Sequence, residues 1–206
     1  MRINPKLGLV ALAAALLLAT VVSTASARNL SVSNQQVRVT WRSLEFASSL
    51  VTIRCPVTLE GSFHSRTIAK NAGSLIGAVT RVAIKNESCT NGTARVVNLP
   101  WHITYEGFNG VLPNITGINL LLNRFRFRLT VPGFCTEGEY GTATDNITGV
   151  ATREAGGAIT GLEPVEGRNT ATLVASREFC PATGRLRGRG EVMLLGTTTR
   201  ITVTLI

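Results

Sequence analysis

Val51-Thr52-Ile53-Arg54-Cys55-Pro56-Val57-Thr58-Leu59-Glu60-Gly61-Ser62-Phe63-His64 is the longest unbroken alternation in the chain. Val51, Ile53, Cys55, Val57, Leu59, Gly61 and Phe63 share one face, and Thr52, Arg54, Pro56, Thr58, Glu60, Ser62 and His64 share the other. A period of two is that of a strand with one buried face. Cys55 therefore points into the core. Pro56 cannot donate to a ladder, so it implies an edge position or a bulge.

The same pattern extends in both directions. Upstream, Val37, Val39 and Trp41 alternate with Arg38, Thr40 and Arg42. Downstream, Lys70-Asn71-Ala72-Gly73-Ser74 reads as a turn and Ile76 to Lys85 as a returning strand. Pro100 marks the start of an aromatic strand in which Trp101, Ile103 and Tyr105 alternate with His102, Thr104 and Glu106. An apolar run from Ile118 to Leu122 follows, and then Phe125, Phe127, Leu129 and Val131 alternate with Arg124, Arg126, Arg128 and Thr130. In the last run, Ile201, Val203 and Leu205 share a face. Helix signals are almost absent past the N-terminal segment. The expectation is one all-β domain over residues 28–206, with at least nine short strands. An antiparallel sandwich and a barrel-like sheet both bury such alternating faces.

The N-terminus has a different character. Arg2 and Lys6 precede sixteen small and apolar residues from Leu7 to Val22, and Ala25-Ser26-Ala27 provides small residues for cleavage. This is the pattern of a secretory signal peptide over residues 1–27. No later stretch is apolar for long enough to cross a bilayer as a helix. Loss of Arg2 and Lys6 from 21 basic residues leaves 19 against 12 acidic ones, a net charge of +7. Such a balance favours anionic surfaces and carries no information about fold.

Four cysteines, Cys55, Cys89, Cys135 and Cys180, in an exported chain imply two disulfides, with three possible pairings. An internal echo selects among them. Ala72-Gly73-Ser74-Leu75-Ile76 followed by Val82 matches Ala155-Gly156-Gly157-Ala158-Ile159 followed by Val165, each lying between two cysteines. Related halves would pair Cys55 with Cys89 and Cys135 with Cys180.

Three groups of residues are candidates for binding. Arg124, Arg126 and Arg128 form one arginine ladder, but a hairpin turning at Pro132-Gly133 would set Arg128 against Glu137 and Arg126 against Glu139 and neutralise it. That register would put Cys135 on the charged face unless a bulge lies near the turn. Arg185, Arg187 and Arg189 form a second ladder with fewer acidic neighbours, only Glu178 and Glu191 lying close in sequence. It is the better candidate for a polyanion. Trp101, Tyr105 and Phe108 could line a cavity for a small apolar ligand, or simply fill the core.

Catalytic groups are sparse. His64 and His102 are the only histidines and Asp145 the only aspartate, and no G-x-S-x-G turn presents a nucleophile. Neither Cys-x-x-Cys spacing nor a histidine cluster supports a metal site, and no cofactor is expected. No nucleic-acid module signature accompanies the arginines. Asn29, Asn86, Asn91, Asn114 and Asn146 begin N-x-[ST] sequons. They mark surface loops where the host glycosylates that motif.

The order Cys55, Gly61, a Gly/Ile turn element, Cys89, Leu99-Pro100-Trp101 and Cys135 resembles small secreted bacterial β-proteins, among them the alkane-oxidation activators and exported proteins of actinobacterial type. The resemblance spans about residues 51–140, and the arginine-rich last strands depart from it. It implies a secreted, non-enzymatic β-protein with affinity for apolar surfaces or the cell envelope, and it transfers no site residues. The expected role is a structural or binding protein of the envelope without catalytic activity. A small apolar-ligand carrier, a polyanion-binding surface protein and a secreted hydrolase are the alternatives.

Overall fold

Two long strands built on the alternations just described hold the molecule together. β1 (Asn29–Val32) leads into them, β2 (Gln36–Ser48) and β3 (Thr52–Phe63). β4 (Thr67–Ala69), β5 (Leu75–Ile84) and β6 (Thr93–Val97) follow, with one 3-10 turn at Asn86–Ser88. β7 (Trp101–Val111) pairs in a hairpin with β8 (Asn114–Asn123), and β9 (Arg126–Val131) with β10 (Cys135–Gly141). The chain finishes with β11 (Ile147–Arg153), β12 (Ile159–Pro164), β13 (Thr170–Ala175), β14 (Thr183–Arg187), β15 (Glu191–Leu194) and β16 (Val203–Leu205). The structure, a computed structural model, describes residues 29–141, 147–176 and 179–206. The expected signal peptide, Asp145, Asn146 and Glu178 lie outside the described residues.

The fold is all-β, and of the two expected architectures it takes the barrel-like one: a 13-stranded antiparallel sheet that curls strongly. The strand order is β12-β11-β8-β7-β5-β3-β2-β14-β13-β10-β9-β6, and β15 pairs with β2 as well. β2 is therefore a fork. Its first half, Val37 to Thr40, pairs with β15, and its second half, Glu45 to Ser48, pairs with β14. The two halves meet at a bulge between Trp41 and Leu44, and Pro56 of β3 stands opposite that bulge. This is the bulge that Pro56 implied, where a missing N–H breaks no ladder bond.

Each branch of the fork curls back on itself. In the first, Leu162 of β12 and Gly190 just before β15 exchange two backbone hydrogen bonds of 2.9 Å. The path β15-β2-β3-β5-β7-β8-β11-β12 is thereby closed into a ring. A smaller sheet, β16-β1-β4, covers one end of this ring and is tied to it by the Ile159 N–H bonded to the Ile201 carbonyl at 2.9 Å. In the second branch, the Thr90 N–H donates to the Arg54 carbonyl at 2.9 Å and returns the chain before β6 to β3.

Each curl has its own apolar core. Leu30, Val37, Val39, Trp41, Ile76, Tyr105 and Ile118 belong to the first. Phe46, Trp101, Phe125, Phe127 and Tyr140 make an aromatic cluster in the second, with Trp101 and Phe125 edge to face at 4.6 Å between centroids. Leu44, Leu59 and Ile103 pack against both cores. Two disulfides staple the second curl, Cys55–Cys89 and Cys135–Cys180, the pairing that the internal echo selects.

The β9–β10 register differs from expectation by two residues. Arg128 faces Glu139 and not Glu137, and Arg126 faces Gly141 and not Glu139. A bulge between Cys135 and Gly138 makes the difference and turns Cys135 fully inward. Gly138 fits there because a Cβ would come within 2.9 Å of the Cys135 sulfur and 3.0 Å of the Cys180 sulfur. Arg124 is not part of the ladder: it precedes β9 with φ of 61°.

Candidate functional site

The interior of the first curl is not filled. A cavity of about 150 Å³ lies among Val32, Val39, Ile76, Ile118, Ile159 and Val203, with Tyr105 in its wall. Protein interiors pack like organic crystals and hold few voids larger than a water molecule. A void of this size forfeits roughly 4 kcal/mol at the cost per volume measured for core truncations. Its lining comes from both sheets, because the three-stranded cover contributes Leu30, Val32, Ile68 and Val203. Glu60 is the one charged residue along the wall among the described residues, and its carboxylate is ion-paired with Arg81 at 3.1 Å. A second cavity of about 80 Å³ occupies the other core, and Leu44, Leu59, Phe125 and Leu186 line both.

The three aromatic candidates are separated by this arrangement. Tyr105 lines the larger cavity and Trp101 the smaller one. They share a strand face, but four residues of strand span roughly 13 Å, enough to pass from one core to the other. Phe108 lines neither cavity; it follows a bulge between Tyr105 and Gly107, packs on the rim of the first core, and has the Lys70 ammonium 5.8 Å from its ring centre. Sequence reasoning found Tyr105 but missed the aliphatic residues around it. Their common signal, inward alternation, is the signal of any core.

Burial raises the Tyr105 phenol above its ordinary pKa of 10.0. Desolvation disfavours the phenolate and keeps the hydroxyl protonated at neutral pH. Tyr140, with no exposed surface, is pushed up to about 12 by the same cause, and its hydroxyl donates to the Pro181 carbonyl at 2.9 Å.

The arginines divide into paired and unpaired. Arg126 and Arg128 both bind the Glu139 carboxylate, each at 3.1 Å, which neutralises the first ladder through a different glutamate than expected for Arg128. Of the second ladder, Arg185 and Arg187 project outward from β14 and make no ion pair among the described residues. Arg189 lies beyond the strand and is held by Glu163 at 2.6 Å and the Thr160 hydroxyl at 3.2 Å. Arg187 and Arg189 border a polar surface hollow with Glu163, Glu166 and Asn169. Among the described residues no three His, Cys, Asp or Glu side chains gather as metal ligands. No helix among them is long and apolar enough to cross a membrane.

Comparison with protein-family models, with curated proteins and with solved structures returns no match for this chain.

Proposed function

We propose that this is a secreted or envelope-associated, non-catalytic protein that binds a small apolar ligand inside its first curl. The cavity carries this reading: apart from Glu60 its walls are chiefly aliphatic and aromatic, and its volume of about 150 Å³ is that of an engineered apolar cavity that stays dry and takes up benzene. A ligand there recovers packing that the empty core lacks. The signal-peptide pattern of residues 1–27 and the two disulfides support an extracytoplasmic site of action. An affinity for apolar molecules also agrees in kind with what the activator resemblance implies.

The test is stabilisation by ligand. Anything that binds only the folded state raises the unfolding free energy in proportion to the logarithm of its concentration over Kd. Benzene and toluene are expected to raise Tm progressively, and Ile118→Trp, which fills the cavity, abolishes the effect. A Tm indifferent to both compounds overturns the reading.

A second reading rests on Arg185 and Arg187, exposed and without ion pairs among the described residues. Polyanion binding through them predicts retention on heparin that falls with salt and is lost in the R185S/R187S variant. Unchanged retention removes it.

A further inference from the structure

We infer that the ligand of the first curl carries one polar group that hydrogen-bonds Tyr105, so that the site selects a compact apolar molecule with a single oxygen or nitrogen over a pure hydrocarbon. The inference rests on the cavity reading above and adds the chemistry of its occupant.

The argument starts from the four large aromatic side chains that are buried and carry a polar handle. Trp41 donates its indole N–H to the Gly188 carbonyl at 3.1 Å, and Trp101 donates to the Val97 carbonyl at 3.1 Å. Tyr140 donates to Pro181 at 2.9 Å. Tyr105 alone differs: it is 2% exposed and lines the cavity, and its hydroxyl, which keeps a little accessible surface, makes no hydrogen bond among the described residues. The hydroxyls of buried tyrosines ordinarily find a partner. Phenylalanine would fill the same space without an unused donor.

The Tyr105 backbone is firmly placed. Its N–H donates to the Ser74 carbonyl at 2.9 Å, and its carbonyl accepts from Gly73 at 2.8 Å. The ring is therefore fixed in the cavity wall. The buried polar side-chain atoms without partners among the described residues, on Glu106, Asn119, Thr148 and Asn169, belong to residues outside the lining. Among the described lining residues the indole N–H of Trp41 is already committed to Gly188, which leaves the phenol as the side-chain donor without a partner in a largely hydrocarbon wall. A protonated phenol is a strong donor, so an ether, carbonyl or hydroxyl oxygen on a monocyclic or short branched skeleton suits it. One polar contact in an apolar pocket fixes orientation, the arrangement usual for small-molecule sites.

Phenol and toluene are nearly isosteric and separate the two claims. Their Kd values are measured by calorimetry on the secreted, oxidised protein and on Tyr105→Phe. The expected result is that the preference for phenol over toluene drops about 2- to 10-fold in Tyr105→Phe, while toluene binds as well or better. Toluene binding with a preference unmoved by the substitution overturns the inference and leaves the cavity reading standing. Binding of neither compound to either protein overturns both. Where Tyr105→Phe fails to fold, a crystal of the wild type soaked with cyclohexanone decides. Its oxygen is expected within hydrogen-bond distance of the Tyr105 Oη, and an oxygen placed elsewhere, or an empty cavity, overturns the inference.

Discussion

Trp41 donates its indole N–H to the Gly188 carbonyl oxygen at 3.1 Å, and the same indole lies against Gly190. This one side chain holds the connection at which the chain leaves β14 for β15, on the inside of the fork in β2. Gly188 takes φ of 128°, a conformation that glycine adopts without a steric cost. Gly190 has a different constraint, since a Cβ there would fall 2.6 Å from one indole carbon and 2.8 Å from a Val39 methyl. Closure of the first curl through Leu162 and Gly190 thus depends on an aromatic ring laid over a glycine.

Gly190→Ala is expected to destabilise the protein by about 1–3 kcal/mol, the usual cost of overpacking a core. Trp41 is 4% exposed and pinned by its hydrogen bond, so it has little room to yield. Urea unfolding should show a lower midpoint. Gly107→Ala is the control, because a Cβ there meets only an Asn119 side-chain nitrogen at 3.8 Å. Its stability should stay within roughly 0.5 kcal/mol of wild type.

The wall between the two cavities makes a second prediction. Leu59 lines both, so Leu59→Ala should join spaces of about 150 Å³ and 80 Å³. Truncation of a fully buried leucine costs about 2–5 kcal/mol, and Leu59, which is partly buried, should fall toward the lower end. The joined space should then admit naphthalene, a longer molecule than the wild-type cavity favours. Thermal shifts with benzene and naphthalene on the two proteins check it: naphthalene should gain on benzene in the variant, and equal ratios would show that the core has collapsed.

The disulfides differ in access, and reduction should follow that difference. Cys135 is fully buried and Cys180 nearly so, whereas Cys89 is only partly buried beside an exposed loop. Exchange requires a thiolate to reach a sulfur atom. Mild reduction of the folded protein followed by alkylation should label Cys55 and Cys89 before Cys135 and Cys180, as read by peptide mass mapping. Loss of either bridge should lower stability by about 4 kcal/mol on the chain-entropy account. Simultaneous labelling of all four would mean that reduction proceeds through global unfolding.

What was legible in the sequence was local. Val51 to Phe63 announced a strand because each side chain's direction depends only on its own position, and Pro56 announced a bulge because its nitrogen bears no hydrogen. The cysteine pairing was readable through a repeat of short segments. Closure was not readable, because Leu162 and Gly190 meet across 28 residues and carry no side-chain code for that pairing. The β9–β10 register was missed for a related reason: the bulge that shifts it packs Gly138 against a disulfide whose second sulfur comes from Cys180. Trp101, Tyr105 and Phe108 stood together in the sequence as lining one cavity or filling the core, and only the two-curl architecture sends Trp101 and Tyr105 to different cores. The cavity itself has no sequence signal, since a void is made by residues that fall short of one another.

The chain has only two tyrosines, Tyr105 and Tyr140, and both are buried, which makes their titration a test of the whole interior. Burial raises both above 10.0, Tyr140 to about 12. With folded values above unfolded ones, the native state holds protons that the unfolded state has lost. Their contribution to stability is therefore complete below pH 10 and disappears as the pH climbs toward 12. For Tyr140 the shift from 10.0 to about 12 corresponds to about 3 kcal/mol. Native protein should show no tyrosinate absorbance on passing pH 10; the signal should arrive only with alkaline unfolding, whereas in concentrated urea both tyrosines titrate normally. Tyr140→Phe should remove the Tyr140 part of this pH dependence. It should also cost about 1–3 kcal/mol at neutral pH, because the buried Pro181 carbonyl loses its donor. A tyrosinate signal that rises near pH 10 while circular dichroism still reports the native sheet would place at least one of these phenols in water and contradict the packing of its core.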